Sequence, residues 1–417
     1  MDISFSDAYQ NITGKAFQIM AKPRGSDCNL NCSYCYYLEK KNLYPNALRF
    51  YMTDEILENF IKQYIESQES PVIEFIWQGG EPLLAGIDFF EKVVFYQKKY
   101  SHNKKIANAF QTNGTILNEE WCKFFARNNF LTGISIDGPE HLHNKYRKYA
   151  SGKQSFSEVM KGIEMLIKYN VPFNTLSVVN DMNSHYPLEV YNYLKSIGST
   201  FMQFIPVVEQ KAVNPNQDLL QLISPDYSED GKITEWSVKQ GKYGDFLIAI
   251  FDEWIKKDVG RYFIQIFDAT LANWAGENPG LCVFQKTCGN AGVIEYNGDV
   301  YSCDHYVYPG NYLGNISIHS LAEMMYSQKQ SEFGLNKYYN LPQQCLQCDY
   351  LFACRGGCPK NRTTPTEEKD KNLNYMCNDY YNFFKHVTPA MNFMAGELKN
   401  ERPPAGVMEW ANKHKVK

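Results

Sequence analysis

VIEFIWQGGEPLLAGIDFFEKVVFYQKKY, residues 72–100, holds a complete strand–turn–helix unit. VIEFIW (72–77) is short, β-branched and aromatic, which favours a strand. Gly79 and Gly80 permit close backbone approach, and Pro82 stiffens the exit from the turn. IDFFEKVVFYQKKY (87–100) then spaces its apolar residues as a helix does. The alternation continues on both sides. AFQIMA (17–22), IANAFQ (106–111), LTGISID (131–137), FNTLSVV (173–179) and FMQFIPV (201–207) read as strands. TDEILENFIKQYIE (53–66, capped by Thr53 or Asp54), NEEWCKFFARN (118–128), SFSEVMKGIEMLIKY (155–169) and YPLEVYNYLKSI (186–197) read as helices. Six such units, with strands too apolar to carry a wet face, predict an α/β fold: a parallel sheet covered by helices. Curled into a partial (β/α)6 TIM-like barrel, the sheet puts its functional turns at the C-terminal strand ends. An open doubly wound sheet satisfies the same pattern.

Residues 208–242 are polar and proline-containing, a connecting excursion, and YGDFLIAIFDEWIKKDV (243–259) is a further helix. After about residue 280 the rhythm gives way to short pieces rich in Cys, Gly and aromatics. VIEYNGDVYSC (293–303) is the clearest hairpin, with Asn297-Gly298 as a type I′ turn signal. The expected organisation is a barrel with its connecting segment over 1–242, a linking helix region over 243–280, a cysteine-rich module over 281–390 and a C-terminal tail over 391–417.

The 417 residues are 44% hydrophobic with a formal charge of −4. That balance argues against nucleic-acid and membrane-surface binding. No apolar run reaches the ~20 residues of a membrane span, and MDISFSDAYQNITGKAF at the start lacks the features of a signal peptide. Cytoplasmic residence is therefore expected, where twelve cysteines favour metal ligation or catalysis over disulfides. Eleven of them fall within 28–35 and 282–377; Cys122 stands alone in a helix and reads as a buried small hydrophobe. Structural zinc usually takes four ligands, commonly as two CxxC pairs. The first cluster offers three, Cys28, Cys32 and Cys35, which suits a [4Fe–4S] cluster whose fourth iron stays open. Thiolates also suit zinc, which keeps that alternative in view.

CNLNCSYC (28–35) carries the CxxxCxxC order of radical S-adenosylmethionine (SAM) enzymes, and the chain resembles that superfamily through these cysteines and the whole βα region. The resemblance implies a radical SAM barrel in which the open iron holds SAM and one electron splits it to a 5′-deoxyadenosyl radical. It makes Tyr34 an adenine-side residue, against simple loop packing. WQGGEPLL (77–84) resembles the family's GGEP loop, so Gly79, Gly80 and Glu81 are implied at the SAM amino group. Thr112 and Asn113 in QTNGTIL (111–117) become pocket residues, and Ser135 in SIDGP (135–139) a ribose or carboxylate contact. Asp137 is equally well an Asx-turn or helix-cap residue. Arg147 in HNKYRKYASGKQSF (143–156) is either a bidentate partner of the methionyl carboxylate or a surface arginine. Asn144 stands where the family has Asp, which leaves an amide to brace the loop.

The remaining thiols read Cys282, Cys288, Cys303, then Cys345, Cys348, Cys354, Cys358 and Cys377. GDVYSC and CLQCDYLFACRGGC are similar to the SPASM extension of peptide-modifying radical SAM enzymes. The family pairing puts Cys282, Cys288, Cys303 and Cys358 on one auxiliary cluster and Cys345, Cys348, Cys354 and Cys377 on another. Three [4Fe–4S] clusters and SAM are thus the implied cofactors. Two structural zincs are the alternative.

FIWQGGEPLLAG, SIDGPEHLHNKYR, FMQFIPVVE and CDHY resemble the anaerobic sulfatase-maturating enzymes. That family oxidises a sulfatase Cys or Ser to Cα-formylglycine. The resemblance implies Asp304, next to Cys303, as the base that takes the substrate proton, and Tyr37 and Gln78 as substrate-pocket residues. Asp268 either lines the substrate route or caps a helix. Implied partners are an unfolded or nascent sulfatase polypeptide and a flavodoxin- or ferredoxin-like electron donor, with the chain a monomer. The rivals are a radical SAM peptide modifier that forms thioether crosslinks and a non-enzymatic zinc or iron–sulfur scaffold. The first often carries an added N-terminal recognition domain, and 27 residues before Cys28 are too few for one.

Overall fold

The computed structural model of the chain describes residues 16–47, 49–212, 222–223, 231–368 and 372–414. The opening segment through residue 15, residues 213–221 and 224–230 of the 208–242 excursion and residues 369–371 of the charged loop lie outside these. Strands β1 (Gln18–Ala21), β2 (Val72–Trp77), β3 (Lys105–Thr112), β4 (Phe130–Ser135), β5 (Phe173–Val179) and β6 (Phe201–Pro206) run parallel, each beside its neighbour in the chain. Parallel neighbours need crossovers. Helices Asp54–Glu66, Ile87–Tyr100, Glu119–Asn128, Phe156–Lys168 and Pro187–Ser196 lie in them. Thr53 caps the first by accepting from Ile56 N, and Asn118 caps the third by accepting from Trp121 N.

The helix-facing side of the sheet is dry. Ile73, Phe75 and Trp77 of β2 are buried there, and Trp77 meets the edges of Phe60 and Phe90 on two helices. The other side corrects the expectation of strands without a wet face. Val72, Leu131 and Ile205 stay exposed on it, with Gln111, Asn174 and Gln203 half-buried beside them. The reason is closure: among the described residues the sheet ends in unpaired strands, so the lumen is not filled by stacked side-chain layers as in a full barrel. Gly133 sits at its centre, where a Cβ would fall 2.1 Å from Gln111 Oε1.

A second difference concerns the C-terminal half. The hairpin at Asn297-Gly298 forms as expected, but Gly298 alone of the two takes a positive φ (87°), so its turn is not the expected type I′. Beyond β7 (Phe263–Ile264), however, β8 (Ala291–Ile294) pairs in parallel with β1, and β9 (Asp299–Tyr301) and β10 (Tyr312–Asn315) continue antiparallel. One ten-stranded sheet results among the described residues, ordered β10-β9-β8-β1-β2-β3-β4-β5-β6-β7. A third difference is the expected boundary at 390/391, which falls inside the helix Cys377–Lys399. Val387, Ala390, Met391 and Met394 carry its buried face straight through, in one contiguous core with Phe246, Ile250 and Phe267. No described helix is long and apolar enough to cross a membrane.

Trp77→Ala should destabilise the chain by about 3–5 kcal/mol, because the neighbouring rings cannot collapse onto the void. Anaerobic urea unfolding should show a lower midpoint at unchanged slope.

Candidate active site

The loop carrying Cys28, Cys32 and Cys35 has no regular structure of its own and is held from two sides. Asn31 N donates to Lys148 O (2.7 Å) and Ser33 N to Tyr146 O (3.2 Å). Opposite, Gly80 N donates to Gly25 O (2.7 Å) and Glu81 N to Asp27 O (2.8 Å). Gly80 is obligatory here: a Cβ would lie 1.9 Å from Asp27 O. The three cysteines line one cavity with Ser26, Leu30 and Gly80. Burial pushes all three thiols up, Cys32 to about 12 and Cys35 to about 11. Bound metal reverses that by taking the thiolate form outright. Three soft donors in one cavity, beside a glycine with no side chain to intrude, fit an iron–sulfur cluster.

Glu81 is fully buried, and its carboxylate accepts from Leu83 N (3.0 Å), Thr112 Oγ1 (2.7 Å) and Asn113 N (2.8 Å). Both oxygens therefore accept hydrogen bonds within the chain. Burial pushes its carboxyl up to about 7 even though these bonds pull it down; the three donors around it favour the carboxylate form. Glu81 ties the GGEP turn to the end of β3. Asn113 Nδ2 in turn lies 2.9 Å from Asn29 Oδ1 and 3.7 Å from Cys28 Sγ. Ser135 ends β4 and accepts from Gln111 Nε2 (2.9 Å) on the open face. Gln78 follows β2, and its N–H donates to Ala21 O.

Arg147 is buried, so the surface alternative is excluded. Its Nε pairs with Asp137 Oδ2 at 3.1 Å, and Tyr34 OH donates to the same oxygen at 2.6 Å. Asp137 Oδ1 accepts from Val178 N (3.0 Å), which makes the residue a strand-to-strand tie and not an Asx-turn or cap. Asn144 Oδ1 accepts from Phe156 N (3.2 Å), the bracing role left to an amide.

Asp304 reaches the same region from the connection after β9. Lys22 Nζ forms an ion pair with its Oδ1 and Tyr36 OH donates to its Oδ2. Burial works against its charge, but Lys22, His305 and Tyr36 outweigh it and hold the carboxyl below the usual range. Tyr37 is buried, with its hydroxyl donating to the buried Glu295. Burial pushes Glu295 up to about 8. Lys22, Tyr36 and Glu295 carry no motif that would have marked them; only burial and pairing do. Asp268 lies inside the helix Gln265–Ala275 with Ile264 at the cap position, so it caps nothing.

The other thiols divide by their electrostatic neighbours. Burial first, and then the negative charge of Cys358, raises the thiols of Cys282, Cys288 and Cys303, while those of Cys345, Cys354 and Cys377 are raised by burial and then by thiols of their own set, Cys348 among them. Lys337, buried and donating to Cys282 O (2.7 Å) and Val283 O (3.0 Å), brings positive charge to the first set. Among the described residues no three His, Cys, Asp or Glu side chains converge on a single metal-ion position. The sets suit a multi-iron cluster, which spreads its thiolates over its corners.

Comparison with known proteins agrees with this geometry. The radical SAM superfamily model matches residues 23–194, and an iron–sulfur cluster-binding domain (SPASM) matches residues 282–349. The chain is thus a radical SAM enzyme with an iron–sulfur extension. It is 51% identical to the serine-type anaerobic sulfatase-maturating enzyme of Bacteroides thetaiotaomicron, over 95% of each chain. It is 34% identical to the cysteine-type enzyme of Clostridium perfringens strain 13, over 91% of this chain and 99% of that one. The solved structure of native anSMEcpe with bound AdoMet and Cp18Cys peptide superposes with a TM-score of 0.80 at 34% identity, covering 92% of this chain and all of that one. The chain belongs to the anaerobic sulfatase-maturating enzymes.

Glu81→Gln turns one acceptor into an amide nitrogen facing a donor, which costs about 1–3 kcal/mol for the unmet group. Thermal melting should shift down, and equilibrium dialysis of the reconstituted protein should show weaker SAM binding.

Proposed function

We propose that the chain oxidises an active-site Ser or Cys of an unfolded or nascent sulfatase polypeptide to Cα-formylglycine without molecular oxygen. Cys28, Cys32 and Cys35 would hold the [4Fe–4S] cluster that binds SAM. The two C-terminal sets, Cys282, Cys288, Cys303 and Cys358, and Cys345, Cys348, Cys354 and Cys377, would hold two auxiliary clusters. When bound, these groups supply the 5′-deoxyadenosyl radical that removes a hydrogen atom from the substrate Cβ and the sink for the remaining electron.

The chain's own residues do the rest. Tyr34 and the Asp137–Arg147 pair shape the SAM side, with Ser135 and Asn113 lining it from the strand ends. Asp304 accepts the proton from the substrate hydroxyl or thiol. Gln78 and Tyr37 flank the peptide. The observation that carries this reading is the meeting of Asp304 with the cysteine loop through Tyr36, which brings a charged carboxylate from one module to the radical source of the other. A Ser target is favoured, because the relative at 51% identity is serine-type and those named cysteine-type are at 34–35%. We place the reaction in the cytoplasm, by a monomer fed by a flavodoxin- or ferredoxin-like donor.

Anaerobic reconstitution should give about twelve irons per chain, three clusters of four; about four would remove the auxiliary assignment. Reduced protein with SAM should convert a Ser-x-Pro-x-Arg peptide faster than its Cys counterpart, read by mass spectrometry as loss of two hydrogens from Ser, or from Cys as loss of two hydrogens with water oxygen replacing sulfur as hydrogen sulfide leaves, and by hydrazone capture of the aldehyde. No aldehyde from either peptide would defeat the maturase reading.

A further inference from the structure

We infer that Lys22 is a positioning residue for the oxidation: its ammonium fixes the Asp304 carboxylate so that the base meets the substrate in one orientation. The inference rests on Asp304 being the proton acceptor. Lys22 directly follows β1 and is 1% exposed, one of the largest side chains buried to that degree. Its Nζ pairs with Asp304 Oδ1 and lies 3.4 Å from the centre of the Tyr37 ring. The nearby acid Glu295 is occupied by the Tyr37 hydroxyl. Tyr36 OH holds the second oxygen of Asp304, so the carboxylate is gripped at both ends by residues of the barrel side.

The Lys22 backbone is itself anchored. Its N–H donates to Ile294 O (2.9 Å) on β8, and its carbonyl accepts from Gly25 N (3.0 Å) at the start of the cysteine loop. The Gly79 turn packs against it, since a Cβ at position 79 would lie 3.3 Å from Lys22 Cβ. Lys22 therefore touches the GGEP turn, the cysteine loop and the C-terminal module together. Stability does not account for the pair: each buried ion carries a heavy desolvation cost, and an apolar pair of similar volume is often as stable or more so. Orientation does account for it. A base must lie within hydrogen-bond reach of its proton, and a shift of about 1 Å costs on the order of 100-fold in rate.

The test compares wild type with Lys22→Met, Lys22→Gln, Asp304→Asn and the Lys22→Met/Asp304→Asn double variant. Each is reconstituted anaerobically and assayed with the Ser peptide for iron content, KM, kcat and aldehyde formed per 5′-deoxyadenosine. Lys22→Met should keep wild-type iron and a KM within about twofold, while kcat and the aldehyde ratio fall by about tenfold or more. Lys22→Gln, whose amide still donates to a carboxylate, should recover part of the loss. The double variant should be no slower than Asp304→Asn alone, because the lysine acts only through that carboxylate. Wild-type kcat in Lys22→Met, or a double variant slowed by the product of the two single effects, would overturn the inference. If Lys22→Met loses iron, Lys22→Gln is read by the same criteria, with an intermediate kcat expected and a wild-type one overturning. Asp304→Asn at wild-type yield would instead remove the Asp304 assignment itself.

Discussion

Cys28, Cys32 and Cys35 must be presented in one cavity by a loop that lacks secondary structure, so its shape is imposed by its neighbours. The contact that imposes it most strictly is Gly80 against the Asp27 carbonyl, where no side chain fits. The N–H groups of Gly80 and Glu81 hold the near side of the loop, and the backbone of Tyr146 and Lys148 holds the far side. Glu81 passes the constraint to β3 by satisfying Thr112 and Asn113. A buried carboxylate with three donors is rigid because losing any one leaves a costly unmet group.

Two buried charge clusters flank that loop, and they share a design. Tyr34 and Arg147 meet on Asp137; Tyr36 and Lys22 meet on Asp304. In each, a tyrosine of the cysteine loop and a cation from another segment converge on one carboxylate. The first cluster ties the loop to β4 and β5, on the side read as the SAM site. The second ties it to the C-terminal module, on the side read as the reaction site. Low surrounding polarity makes both strong and makes either one costly to break.

The C-terminal module is built into the barrel sheet. β8 completes the row beside β1, and the long helix from Cys377 shares the barrel's core. Asp304 follows from this arrangement, because β8 beside β1 brings Cys303 and its successor to the strand end that carries Lys22. The same closeness gives Lys22 its backbone bond to Ile294.

Local chemistry is what the chain order alone determined. The six βα units, the Thr53 and Asn118 helix starts, the Asn297-Gly298 hairpin and the spacing Cys28–Cys32–Cys35 are each written in a few adjacent residues, where periodicity, capping and ligand spacing act. Three-dimensional packing decided the rest. Whether Arg147 lay on the surface, whether Asp137 capped a turn, which donors met the Glu81 carboxylate, and where the module at 281–390 joined the sheet all depended on partners far away in the chain. The pairing of Lys22 with Asp304 spans more than half the chain, and no short pattern encodes it. A buried charge shows its purpose only when the opposite charge arrives, and that meeting is made by the fold.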